Sequence, residues 1–362
     1  MTSLSETSLL AGSSGVSTGY TIDQSIRFDG TTPSYLNKTF GSAGNAKTWT
    51  LSFWWKRGVL SSQENARQTL FGAGNGETSS FALYSNHNSA TIDGLTVSYT
   101  GSSNDVRSTQ VFRDVSAWYH VVVKADTTNA IANERFIIYV NGTRIPLDAY
   151  SAPSLNSDFY VNYGVATYFG YRVGGGNSQA MDGYLSEIHF IDGTAYGPEF
   201  FGELESNGIW IPKEYDGSYG SKGYKIDGRD SSDLGDDESG NGNDFSTSGL
   251  DASDQVLDSP TNNHGVFNVL EKNLRYSTTI TDGNKKINFS SGSSGWSGTR
   301  LGLFRSNGKA YAEFKVNQAY SHTNGDGITV FVANDSSDSN SSVNAGGGTG
   351  SAKLEAAYNA ID

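Results

Sequence analysis

The sequence predicts an all-β protein, a two-sheet sandwich followed by a smaller β unit too short to close. Three observations point there. The 362 residues include 44 Gly and only 6 Pro, with Tyr the commonest aromatic, a mix that suits short strands joined by turns better than long helices. Hydrophobic runs of strand length recur between Gly, Asn, Asp and Ser turns across residues 22–200. One of them, "TWTLSFWWKRG" from Thr48, alternates with period two: Trp49, Leu51, Phe53 and Trp55 share one face, and Thr50, Ser52 and Trp54 the other.

Whole-chain properties narrow the function. The length allows two domains, because a single core stops growing below about 250–300 residues. A net charge of −13 with no basic patch opposes nucleic-acid binding and attachment to anionic membranes. Cys is absent, which removes disulfides and thiolate metal sites and leaves apolar burial, hydrogen bonds, oligomerisation or an oxygen-ligated metal as stabilisers. The opening "MTSLSETSLLAGSSG" has no basic n-region and no long apolar run, so the mature protein is expected to begin near Met1, and no stretch approaches membrane-spanning length.

In chain order, residues 1–21 are rich in Ser, Thr and Gly and predict an arm, disordered alone or ordered against a partner. Residues 22–200 hold the sandwich: "SIRFDG", "YLNKTF", "TWTLSFWWKRG", "QTLFGAG", "FALYS", "LTVSYT", "WYHVVVKAD", "RFIIYVNGTRI" and "YLSEIHFIDG" read as strands. The pair Asn141-Gly142 accepts positive φ at both turn positions and returns the chain through "TRI" as a hairpin. Residues 201–272 lose apolar density and predict a long connection, stabilised by metal or by its own turns. From 273 to 362 strand texture returns in "KKINFS", "TRLGLF", "KAYAEFKV" and "GITVFVAND", a unit that needs further residues or a partner to complete its sheet.

Motifs for chemistry are sparse. "GSAGNAKT", Gly41 to Thr48, approximates a phosphate-binding loop but runs into a strand where that loop requires a helix, so it reads as an interstrand turn. No E-x-D-x-E run supplies the paired carboxylates of a glycosidase, and Glu187 stands alone in "YLSEIHF". The five histidines show no metal spacing, His120 and His189 fall inside strand patterns, and G-x-S-x-G is absent. A non-enzymatic protein is expected.

Two binding candidates remain. In "DESGNGND", Asp237, Ser239, Asn241 and Asp244 offer oxygens at calcium-loop spacing around Gly242, although position twelve is Ser248 and not Glu; a Ca2+-stabilised turn and an ordinary Asn-Gly turn both fit. In "YFGYRVGGGNSQAMDG", Tyr168, Tyr171, Arg172, Asn177 and Gln179 flank the Gly174-Gly175-Gly176 loop and offer aromatic faces and hydroxyl partners for a sugar. With Tyr so abundant, packing accounts for the same tyrosines.

The order of "TWTLSFWWKRG", "WYHVVVKAD", "FIIYVNGTRI" and "MDGYLSEIHFIDG" resembles the laminin-G-like branch of the concanavalin A-like lectin/glucanase fold, over about residues 22–200. The resemblance implies a jelly-roll sandwich, in which lectin-like relatives also carry a carboxylate where Glu187 stands. Flanking text, "LLAGSSGVSTGYTIDQSIRFDG", "SAGNAKTWT", "IHFIDGTAYGPEFFGE", "DESGNGNDF" and "DSPTNNHGVFNVL", resembles virion and tail-fibre-type proteins of marine bacteriophages. "GKAYAEFKV" with "GITVFVAND" is similar to the opening strands of a SPRY domain, whose later strands are missing. These resemblances imply a virion structural protein on the tail, fibre or capsid surface. Its partners would be other virion proteins and a host cell-surface glycan or protein. Fibres of this kind imply a homo-oligomer, although no heptad repeat marks a coiled coil. A capsid decoration protein without glycan binding and a glycan depolymerase are the alternatives, because fold alone does not fix function.

Overall fold

The structure is a computed structural model and describes residues 19–30, 34–60, 67–76, 80–85, 93–99, 105–148, 151–172, 179–267, 278–281 and 283–289. Its strands are β1 (Ser25–Asp29), β2 (Tyr35–Thr39), β3 (Thr48–Arg57), β4 (Gln68–Gly74), β5 (Ser80–Ser85), β6 (Gly94–Ser98) and β7 (Asp105–Val111). Next come β8 (Trp118–Asp126), β9 (Phe136–Val140), β10 (Thr143–Arg144), β11 (Leu147–Asp148), β12 (Ala166–Phe169) and β13 (Asp182–Asp192). Shorter strands follow: β14 (Gly202–Leu204), β15 (Trp210–Pro212), β16 (Tyr224–Ile226), β17 (Ser246–Ser248), β18 (Gln255–Val256), β19 (Thr278–Thr281) and β20 (Lys286–Phe289).

Two eight-stranded antiparallel sheets face each other. Sheet A runs β10-β9-β8-β3-β13-β1-β18, with β16 also beside β13, and sheet B runs β11-β7-β6-β5-β4-β12-β2-β17. The period-two face of β3 fills the space between them: Trp49, Leu51, Phe53 and Trp55 are all buried in the shared core, with the Trp49 ring edge-on to Phe81 of sheet B at 5.6 Å. The all-β two-sheet sandwich is thus the architecture that the alternation predicts, and it is consistent with the jelly roll that the resemblance implies. Asn141 and Gly142 turn the β9-β10 hairpin with φ of 47° and 76°, and a Cβ on Gly142 would sit 2.4 Å from the Trp210 ring, so only glycine fits there.

Two strands carry no strong sequence signal. The polar run of β7, "DVRSTQV", and the short β12, "ATYF", both lie within sheet B. The larger difference is at residue 200. Within the expected connection 201–272, β16 pairs with β13, β17 with β2, and β18 with β1, and Phe245 enters the main core against Tyr224 at 4.7 Å. These strands are only two or three residues long, too short to show periodicity, so the sandwich extends past the predicted boundary.

The remainder of that segment covers the outer face of sheet A. Phe201 and Tyr215 pack on Val122 and Ile191, while Trp210 and Val256 pack beside Trp54, Trp118 and Tyr184. Lys56, on the outward face of β3, is fully buried with Asp258: its Nζ donates to both carboxylate oxygens at 2.9 and 3.1 Å, to Asn263 Oδ1 and to the His264 carbonyl. Trp118 Nε1 donates to the same carboxylate. "DSPTNNHG" is therefore the clamp that fastens this segment onto the sheet. Of the predicted second unit, the β19-β20 hairpin is described; Ile280 packs with Leu60, Val115 and Val266, and Tyr184 donates to the Gly283 carbonyl. "TRLGLF", "KAYAEFKV" and "GITVFVAND" lie outside the described residues, as does most of the predicted 1–21 arm.

Candidate functional site

β12 and β2 are neighbours on sheet B, with Tyr168 opposite Asn37. That register sets Tyr35 one step along the same outward face, and the chain leaving β12 folds back to bring Tyr171 onto it. Three half-buried rings meet: Tyr35 and Tyr171 stack at 5.0 Å, and Tyr168 stands edge-on to both at 5.7 and 5.8 Å. Gly72 of β4 permits the close pass, since a Cβ there would lie 2.9 Å from Arg172 Cβ and 3.0 Å from the Tyr171 carbonyl oxygen. Burial and the two neighbouring phenols push the Tyr168 hydroxyl pKa up, which keeps it protonated and able to donate. The cluster offers aromatic faces and hydroxyls side by side.

Arg172 turns to a neighbouring ring, Tyr84. It is 6% exposed, its Nη1 donates to the Tyr84 hydroxyl, and its guanidinium lies 5.7 Å from the Tyr84 ring, with that of Arg67 at 5.3 Å. Arg172, predicted as a ligand-binding group, is thus buried against Tyr84. Tyr84 heads a polar row in register across four strands, Thr69, Tyr84, Thr96 and Arg107. Gln179 is half-buried, with an Oε1 that meets no hydrogen-bond partner, and no described contact joins it to the tyrosines. Asn177 and the Gly174-Gly175-Gly176 loop lie outside the described residues. Tyr35 and Tyr84 escape sequence reasoning because they sit 133 and 84 positions from Tyr168 and only the strand register joins them.

In the "DESGNGND" loop the predicted ligand oxygens accept hydrogen bonds from the chain itself. Asp237 Oδ1 accepts backbone N–H groups of Lys225 and Ser239, at 2.8 and 2.9 Å, and Oδ2 accepts that of Asn243 at 2.8 Å. Asn241 turns its amide nitrogen to the carbonyls of Gly220 and Gly223, and Asp244 Oδ1 accepts from the Asp237 backbone. Oxygens of Asp237 and Asp244 close turns within this segment.

Glu187 occupies a β-bulge in β13, at φ 50°, where β1 and β16 meet along that strand. Its carboxylate accepts the Tyr20 hydroxyl at 2.5 Å and pairs with Lys225 at 3.3 Å and His189 at 3.4 Å. Burial opposes its charge, but His189, Lys225 and the Tyr20 hydroxyl hold the pKa down at about 2. This carboxylate fastens the start of the chain. His120 is likewise structural: Trp210 Nε1 donates to its Nδ1 at 2.9 Å, which leaves Nε2 to donate to Ser52 Oγ at 2.9 Å. Burial, and His189 nearby, lower its pKa to about 3. His87 and His322 lie outside the described residues.

Comparison with known proteins gives distant likenesses and one family match. A crystal structure of a SAP-like pentraxin from Limulus polyphemus is 17% identical over 48% of this chain and 78% of that one, with a TM-score of 0.35. A putative carbohydrate binding protein from Bacteroides ovatus is 18% identical over 64% of this chain and 59% of its own, with a TM-score of 0.39. A sialidase CBM40 from Ruminococcus gnavus is 16% identical over 50% of this chain and 92% of its own, at 0.32. These are distant likenesses, and the fold rests on the two sheets and the family match. Among curated proteins, none matches the sequence closely enough to count as a relative. Residues 29–197, somewhat under half of the chain, match the family model of the concanavalin A-like lectin/glucanases superfamily.

Proposed function

We propose that the sandwich is a non-catalytic lectin-like domain that binds carbohydrate through Tyr35, Tyr168 and Tyr171. The observation that carries this reading is the half-exposed three-ring cluster on the outer face of sheet B. A sugar ring lays its apolar C–H face on such rings and exchanges hydrogen bonds with their hydroxyls. Catalysis is disfavoured because Glu187 is engaged in ion pairing and β13 carries no second carboxylate spaced two residues from it. An oligosaccharide array probed with the labelled chain tests the reading. Tyr171→Ala should weaken the strongest signals about tenfold or more, the scale of an aromatic hot spot, and Tyr171→Phe should keep most of them. Equal signals from wild type and Tyr171→Ala would refute it.

At finer grain, the protein is a homo-oligomeric tail-fibre or appendage subunit of a bacteriophage virion, displaying this domain to a host-surface glycan. The virion-like flanking sequences support that reading, and the decoration protein and the depolymerase remain the rivals. Antibody-gold labelling of virions against residues 22–200 separates the locations: label at fibre tips supports attachment, and label over the head favours decoration. Release of reducing ends from host polysaccharide would instead favour the depolymerase.

A further inference from the structure

An open cavity of about 390 Å3 lies at the opposite end of β2 and β12 from Tyr35 and Tyr171, lined by residues 43–47 with Asp158 and Tyr163. Its volume falls within the range of small-molecule sites, roughly 300–1,000 Å3. Both walls are fixed. Gly44 and Phe159 donate backbone hydrogen bonds that tie the two segments together beside the cavity, to the carbonyls of Asn162 and Ala46, each at 2.9 Å. Asn162 Nδ2 and the Asn45 backbone N–H share Asp192 Oδ1 at 2.7 and 2.8 Å. Phe159 roots the second wall in the core, 5.4 Å from the Trp49 ring. A Cβ on Gly44 would sit 2.4 Å from the Asn162 side chain, so the glycine lets the walls close to this spacing.

Between fixed walls the side chains are lightly committed. Tyr163 is 49% exposed, much for so large a ring. Lys47 and Asp158 are separated by 3.9 Å with side chains 40% and 48% exposed, a loose pair worth little to stability. An aromatic face next to one donor and one acceptor, in a rigid cleft, is what a saccharide ring requires. The two charges cancel locally, and the chain's net −13 gives an acidic sugar no advantage.

We propose that this cavity is a second saccharide subsite for a neutral hexopyranose, which stacks on Tyr163 while a vicinal diol donates to Asp158 and accepts from Lys47. The inference rests on the reading of the domain as carbohydrate-binding and adds a site separate from the tyrosine cluster. Saturation-transfer NMR with the methyl glycosides of glucose, mannose and galactose tests it, performed on the Tyr171→Ala chain so that the cluster is disabled. At least one glycoside should receive transfer, tenfold or more weakened by adding Tyr163→Ala or Asp158→Ala and changed less than twofold by adding Tyr163→Phe. Absence of transfer in the Tyr171→Ala chain, or transfer indifferent to Tyr163→Ala, overturns the subsite. Failure of the primary reading is a different result, array binding that ignores Tyr171→Ala.

Discussion

The two sheets share one core and finish their outer faces in opposite ways. Sheet A is roofed by its own chain: aromatic packing under Phe201, Trp210 and Tyr215, and a fully buried ion pair between Lys56 and Asp258. Sheet B buries the Thr69, Tyr84 and Thr96 side chains of its polar row and leaves half-buried three tyrosines drawn from β2, β12 and the turn after it. The difference teaches a division of labour. One face is closed by long-range contacts and contributes stability, and the other leaves the three tyrosine rings partly exposed along β2 and β12.

That comparison can be broken most severely on sheet A. Asp258→Ala would strand a buried ammonium and should cost about 3–5 kcal/mol, read as a fall in the urea midpoint. Phe245→Ala should cost a similar 3–5 kcal/mol, because this ring belongs to the main core; a cost near zero would return residues 201–272 to the status of a tether.

Acid should act on the same face through two groups. The unfolded chain protonates histidine near 6.5 and the folded chain protonates His120 only near 3, so stability falls as pH drops through that interval. Glu187 stays ionised down to about 2 against an ordinary 4.5, so its contribution is complete above 4.5 and is lost as pH falls towards 2. Urea midpoints across pH should show both declines, with Glu187→Gln removing the lower one. Trp210→Phe leaves His120 Nδ1 without its donor and should cost about 1 kcal/mol, the low end for a buried acceptor, because Trp210 is half-exposed. Tyr171→Ala, on the other sheet, should cost least in stability, about 0.5 kcal/mol as for surface positions, while costing most in binding.

How much of this was legible in the sequence follows from the range of each signal. The alternation of Trp49, Leu51, Phe53 and Trp55 and the Asn141-Gly142 turn are local, and the structure follows both. Sequence also gathered Tyr168 and Tyr171, because they sit three residues apart. Tyr35 and Tyr84 reach them only through strand register, which no local pattern carries. Arg172 has the right chemistry for a hydroxyl partner, and its burial against Tyr84 depends on the close pass over Gly72. The strands β16, β17 and β18 were hidden by brevity inside a Gly- and Asp-rich stretch. "DESGNGND" carries two readings in sequence because Asx turns use the same oxygens at the same spacing as cation ligands.

Hydrogen-exchange footprinting with the oligosaccharide selected on the array tests most directly the claim that binding belongs to sheet B. New protection should concentrate in residues 35–39 and 166–172, with residues 196–219 over sheet A unchanged. Protection confined to residues 196–219, with the tyrosine strands unaffected, would contradict it.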